Sequence, residues 1–289
     1  MAAKLLCGRH TADLGATLRQ VGQVGVGVRG GGESLAHAAR RVSALWRDDP
    51  AHFMLKVDLV NAFNMVERQT VLDACLARMP GLYPYACCAY ATPSTLFFAD
   101  EEIPSSCGVQ QGDPLGPALF SLALGRLWEA VLQRTSRACQ YPLAMSGWYL
   151  DDGCLGGTSQ TLRAVIAALD ELGPSNGFLL NKGKCEVVHC GAPLTFLQEE
   201  GMFPGILRFP TFADWSLLGC PCGTQEAQSR YLAAVLRKGA TKAHVIARLP
   251  DPHKALALLR LTSGSALTNF FARACGPDKA YEAFDEELR

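Results

Sequence analysis

Hydrophobic residues in this chain come in short runs that end at carboxylates, glycines or prolines, a rhythm that predicts strands closed by turns. Phe53-Met54-Leu55-Lys56-Val57-Asp58-Leu59 is an apolar strand that ends in an acid. Leu143 to Leu150 and Gly153-Cys154-Leu155 are two further runs, joined through Asp151-Asp152, and they predict a hairpin with the acid pair at its tip. Residues 94–99 form another strand, turned at Asp100-Glu101-Glu102, and Cys185 to Cys190 another. Between these the spacing changes to a helical period. The predicted helices run from Ser34 to about Trp46, Glu67 to Met79, about Ala118 to Arg137, and Thr158 to Leu172, the last capped by Thr158 or Ser159 and ended by Gly173-Pro174. From Gln225 onward the chain predicts helices broken at Pro250-Asp251-Pro252 and Gly276-Pro277. Residues 1–24 carry only a weak helical signal. Gly25 to Glu33 has the glycine spacing of a dinucleotide loop, but no buried strand precedes it, so it is expected to be a flexible connector.

Composition narrows the class. With 289 residues and 49% hydrophobic side chains, the chain can bury a core in one large domain or a few subdomains. Its 27 basic and 27 acidic residues cancel, so any surface for a polyanion must be local. Arg230, Arg237, Lys238, Lys242 and Arg248 give the first C-terminal helix a basic tint that fits a solvated face or a phosphate-tracking one. Twelve scattered cysteines without an apolar export segment are expected to be reduced thiols, mostly core residues, in the nucleus or cytoplasm. Cys220-Pro221-Cys222 lacks the paired spacing of a zinc knuckle. No stretch is apolar enough to span a bilayer, so no membrane partner is expected.

The chemistry lies in the acids. Adjacent carboxylates repel unless a proton or cation intervenes, so Asp151-Asp152 alone suggests either a solvated turn or a divalent metal. Asp58, at the end of a separate strand, favours the metal, because sites that handle phosphates gather carboxylates from different strands at one sheet edge. Ser106 to Pro117 is a Gly- and Pro-rich loop feeding a long helix, and Gln110 and Gln111 supply hydrogen-bonding side chains on it.

In order, Asp58 with Asn61-Ala62-Phe63, then Gly108-Val109-Gln110-Gln111-Gly112-Asp113-Pro114-Leu115, then Tyr149-Leu150-Asp151-Asp152, then Gly177 with Asn181 and Lys184, then Leu217-Leu218-Gly219 resemble the successive palm motifs of a reverse transcriptase. The resemblance covers residues 20 to 285 or so, and is to the non-long-terminal-repeat retrotransposon type. It implies an α+β fold: a right-hand polymerase palm, an antiparallel sheet backed by helices, with partial fingers and a helical thumb. The expected divisions are a residual fingers segment over 1–52, the palm over 53–224 and the thumb-like region over 225–289.

The resemblance also implies roles. Asp58, Asp151 and Asp152 would hold two Mg2+ ions, or Mn2+ in their place. Lys184 would lie near the leaving pyrophosphate. Phe63 would pack under the incoming sugar and exclude a 2′-hydroxyl; Gln111 and Gly112 would lie along the template and nascent pair; and Leu218 and Gly219 belong to the hairpin that would grip the primer end. The implied partners are an RNA template, a DNA primer and dNTPs, together with other segments of a larger retrotransposon polyprotein. The sequence departs from the pattern in three respects. The basic fingers motifs are absent, Gly116 stands where many relatives have Ser, and there is no endonuclease domain, RNase H domain or zinc knuckle. It therefore looks like an N-terminally truncated palm and thumb, and an inactive remnant that folds and binds nucleic acid without polymerising is the alternative. An intron-type maturase, the third reading, would call for a basic thumb that this chain lacks.

Overall fold

The computed structural model describes residues 2–191, 201–263 and 265–288. Its centre is β1 (His52–Val57), and the sequence shows why. Phe53, Leu55 and Val57 pack on one face and Met54 on the other, so both faces of the strand are covered and the apolar run is almost unbroken. The neighbours of β1 are β5 (Asp152–Thr158) and β6 (Glu186–His189), and β4 (Met145–Tyr149) pairs with the far side of β5. The four-stranded sheet has the order β4-β5-β1-β6, and every pairing is antiparallel.

Helices cover one face of this sheet. α6 (Gly116–Ala138) packs against both α4 (Arg68–Arg78) and α7 (Ser159–Leu172), and α7 also meets β1 and β5. Their buried Leu119, Leu122, Leu162 and Val165 join Phe53, Leu55 and Leu155 in the main core. Thr158 caps α7, accepting from the Thr161 amide at 3.2 Å, as the sequence predicted. The other face carries α2 (Gly31–Leu45) and a small hairpin of β7 (Ser216–Leu217) and β8 (Cys220–Pro221); Leu35, Ala39, Trp215 and Leu217 meet Met54, Cys154 and Val188 there. α3 (Ala62–Met65) and α5 (Tyr83–Tyr90) flank α4 in the chain. The C-terminal helices are α8 (Gln225–Ala247), α9 (Pro252–Thr262), α10 (Ser265–Cys275) and α11 (Lys279–Leu288). Leu232, Leu236, Ala240 and Phe284 give them a separate small core.

Three expectations change. Residues 2–20 form a regular helix, α1 (Ala2–Gln20); Leu14 and Leu18 join the main core and the helix rests on α6, so tertiary packing supplies what its weak amphipathic pattern does not. The glycine segment is no loose connector. Gln23 bridges Trp148 of β4 in parallel, with mutual backbone bonds of 2.8 Å from Val24 N to Trp148 O and from Trp148 N to Gly22 O. A Cβ at Gly25 would stand 2.6 Å from the Leu150 nitrogen, so glycine is needed there for close approach. Helix α2 then starts at Gly31, earlier than Ser34.

A separate hairpin, β2 (Ser94–Phe98) with β3 (Glu101–Ser105), is tied down by Arg68. The buried Arg68 guanidinium donates to the carbonyls of Gly108 (3.1 Å) and Ser105 (2.7 Å) and to the Ser105 hydroxyl (2.8 Å), and lies over the Tyr90 ring. Arg68 thus fastens the hairpin to the loop before α6. Arg68→Met should lower stability by about 3 kcal/mol, because it leaves buried carbonyls without donors; a urea midpoint equal to that of the native chain would remove this role.

Candidate active site

The carboxylates meet at one end of the sheet because of register. Lys56 pairs with Cys154 and Val57 with Gly153, so Asp58 and Asp152 follow at the same end of the sheet, near enough for the charge of one to act on the other. Across the hairpin Tyr149 pairs with Asp152, which leaves Leu150-Asp151 as a two-residue turn. The tip is therefore Leu-Asp, and Asp152 is the first residue of β5, a correction to the Asp-Asp tip expected from sequence. This solves the geometry of adjacent acids: one sits in the turn and its neighbour in the strand, so the alternation of a strand does not drive them to opposite faces.

The turn has an unfavourable backbone. Leu150 adopts φ 57°, a left-handed conformation that costs about 1 kcal/mol or more for a residue with a Cβ. Gln23 holds it there. The buried Gln23 side chain accepts from the Leu150 amide at 2.8 Å and donates to the Leu150 carbonyl at 3.0 Å, and its oxygen also accepts from Gly25 N at 2.9 Å. Sequence reasoning missed this residue; its signal was a lone amide side chain between glycines in a segment with no periodicity.

Asp151 faces a cleft of about 590 Å³, shared with Asn61, Phe63, Gln111, Gly112 and Asp113. Phe63 forms part of its wall, half-buried and stacked on Phe120 of α6 with ring centres 4.1 Å apart. Gln111 and Gly112 are exposed in the opposing loop. That loop is held by Asp113, which accepts from the hydroxyls of Tyr85 (3.1 Å) and Tyr90 (2.6 Å) and from the Leu115 amide (2.9 Å). Burial and the Asp113 charge push the Tyr85 hydroxyl up to about 12, so it stays protonated as a donor. Neither tyrosine was singled out from the sequence.

The remaining predicted residues lie around this cleft. Lys184 is exposed and has no ion-pair partner among the described residues; its turn is fixed by a 2.9 Å bond from Asn181 N to the Asp58 carbonyl. Leu218 and Gly219 form the two-residue turn between β7 and β8, at φ 52° and 73°. The Leu218 side chain approaches Gly32 on the same side as the Tyr149 ring, so this turn lies beside the acidic hairpin.

Electrostatics records the crowding. Dehydration, then the Asp58 charge, raises the proton affinity of Asp151. Dehydration, Asp151 and Asp58 raise that of Asp152. Asp152 is exposed, which discounts dehydration there and leaves repulsion by its fellow carboxylates as the cause that counts. Among the described residues, no group of three or more His, Cys, Asp or Glu side chains is placed to hold a metal ion by itself, so an ion here would need water or substrate oxygens besides the carboxylates. The donor set is hard carboxylate oxygen carrying excess negative charge beside an open cleft, which suits Mg2+, an ion that keeps several ligand positions for water or phosphate.

A four-stranded antiparallel sheet backed by helices, with acids at the end of its central strand and at an adjoining hairpin, defines a right-hand polymerase palm. A family model for Reverse transcriptase (RNA-dependent DNA polymerase) matches residues 18–245, and the chain belongs to that family. The chain is 25% identical over 205 residues to the Retrovirus-related Pol polyprotein from type-2 retrotransposable element R2DM of Drosophila melanogaster. That match takes in 65% of this chain and 19% of the polyprotein. Among solved structures, telomerase from Candida albicans in complex with a TWJ fragment of telomeric RNA superposes with a TM-score of 0.51 at 13% identity, covering 96% of this chain and 54% of that one. This last likeness concerns the fold.

In the two acids whose proton affinity is raised, folding disfavours the charged form relative to the unfolded chain. Their contribution is therefore harmless in acid, below the usual carboxylate range, and becomes a penalty as pH rises through the elevated folded-state values. Asp152→Asn should stabilise the metal-free chain at neutral pH, with the gain fading in acid; a gain independent of pH would contradict mutual repulsion. Gln23→Leu should cost about 2–4 kcal/mol by leaving both Leu150 backbone groups unpaired, and thermal unfolding would show it.

Proposed function

We propose that this chain is the polymerase core of a reverse transcriptase, adding deoxynucleotides to a primer 3′-hydroxyl under the direction of an RNA template. The observation that carries this reading is the cleft in which Asp151, Phe63, Gln111 and Gly112 converge, next to the sheet end that Asp58 and Asp152 share. Asp58, Asp151 and Asp152 would hold two Mg2+ ions, or Mn2+. Such ions, when bound, lower the proton affinity of the attacking hydroxyl and neutralise charge on the triphosphate.

The chain's own groups account for the rest. Phe63, braced by Phe120, offers a rigid ring where a sugar would sit, and its bulk discriminates against a 2′-hydroxyl by clash. Gln111 and Gly112 give an exposed backbone and amide surface for the template and the new base pair, on a loop that Asp113 and the two tyrosines keep in place. Lys184, without a carboxylate partner among the described residues, is available to pair with the leaving pyrophosphate or donate a proton to it. The Leu218-Gly219 turn, beside Tyr149, is suited to hold the primer end. Sequence fidelity comes from base pairing, so the protein needs to read only backbone and shape.

The relative's polyprotein character supports a setting in which other segments of a longer product act with this one. The contrary reading, a folded remnant that binds nucleic acid without extending it, draws on the zero net charge. Primer extension on an RNA template with dNTPs and Mg2+ separates the two. Extension by the native chain, lost in Asp151→Ala/Asp152→Ala, is the expected result; a folded native chain that extends nothing would support the remnant. In the active chain, Phe63→Ala should raise ribonucleotide incorporation at least tenfold, and unchanged sugar selectivity would take that role from Phe63.

A further inference from the structure

Three thiols from two parts of the fold meet beneath the β7–β8 hairpin. Cys220 in β8 and Cys222 just after it are buried, while Cys275, the last residue of α10, is partly exposed. The sequence offered no reason to group them, since Cys275 lies far along the chain. Cys220, Cys222 and Cys275 lie in one hydrophobic cluster, with Cys275 at its partly exposed edge. Arg40 of α2 donates to the Cys220 sulfur at 2.9 Å, and Ala274 O is 4.0 Å away.

Arg40 gives the cluster its chemistry. Its guanidinium also donates to the Ala274 carbonyl, its Nε is buried without a hydrogen-bond partner, and it makes no ion pair with a carboxylate among the described residues. Among the groups that this half-buried cation bonds in the described residues, the Cys220 sulfur is the one able to carry a counter-charge. The neighbouring thiols of Cys222 and Cys275, together with Arg40, hold Cys220 well below the usual thiol range, and those two stay protonated.

We propose that Cys220 and Cys275 form a reversible disulfide that ties the β7–β8 hairpin to α10, with a small-molecule disulfide such as oxidised glutathione as the oxidant. Cys275 is the sulfur that solvent can reach. It gives its proton to a solvent base and attacks one sulfur of the small disulfide, forming a mixed disulfide and releasing a thiolate. The Cys220 thiolate beside Arg40 then attacks Cys275 Sγ and expels the second small thiolate, and solvent protonates both released thiolates. The two protein sulfurs lose two electrons, and the small disulfide gains them as two thiols.

The alternative pairing with Cys222 is unfavourable. Residues i and i+2 of an extended chain are about 6.6 Å apart, near the upper end of the usual disulfide span. The Cys220–Cys275 pairing is independent of the polymerase reading. Only its consequence rests on it: the hairpin suited to the primer end would be locked to a thumb helix.

The test uses the full chain in native buffer at graded ratios of oxidised to reduced glutathione, followed by acid quench, alkylation of free thiols, proteolysis and mass spectrometry. A peptide joining Cys220 to Cys275, two hydrogens lighter than its parts and lost on reduction, is the expected product. It should persist in Cys222→Ser and vanish in Cys275→Ser, each shown to be folded by circular dichroism. A link from Cys220 to Cys222, glutathione left on Cys275, or no link at any ratio would overturn the proposal. None of these readouts depends on polymerase activity, so a failed extension assay and a failed cross-link are distinguishable.

Discussion

Like charge crowded at the end of a sheet is the constraint on which the rest of this structure depends. Antiparallel pairing carries Asp58 and Asp152 to the same end of the sheet, and a two-residue turn adds Asp151 beside them. Left alone, such a cluster destabilises the fold that makes it. The surrounding structure holds it by other means: β1 is packed on both faces, α2 and the β7–β8 hairpin cover the side away from the main helices, and Gln23 fixes the backbone of the turn. The N-terminal glycine segment, apart in sequence from every acid, belongs to the site through this one amide side chain.

The same logic extends to the cleft. The loop carrying Gln111 and Gly112 has little regular structure to hold it, and it is set by buried polar groups: Asp113 with two tyrosines on one side, Arg68 with backbone carbonyls on the other. Phe63 keeps its orientation by stacking on Phe120. Groups suited to touch a substrate are thus each backed by a second residue that limits their freedom, as a site that gains rate from positioning requires.

Much of this was legible in the sequence. The strands at 53–59 and 185–190, the helix capped by Thr158, and the order of the acidic, glutamine-glycine and lysine segments were visible because apolar periodicity and turn residues are local signals. The hairpin was legible too, but not its register: both Asp-Asp and Leu-Asp fit a two-residue turn, and Gln23 decides between them from across the fold. Arg68, Tyr85, Tyr90 and Arg40 were hidden for the same reason. Each acts through a partner distant in the chain, and nothing in spacing alone marks a buried polar side chain as satisfied. The helix over 2–20 was underestimated because its stability comes from packing on α6 rather than from its own periodicity.

The central claim is that the carboxylates form one site whose repulsion a divalent cation relieves. Thermal unfolding of the native chain and of Asp151→Asn, each titrated with Mg2+ at neutral pH, tests it most directly. Binding to the folded state alone should stabilise the native chain, by about 2.7 kcal/mol when Mg2+ reaches a hundred times its Kd. Asp151→Asn should begin more stable than the native chain without Mg2+ and gain far less from it. Equal gains in the two proteins, or none in the native chain, would contradict the account.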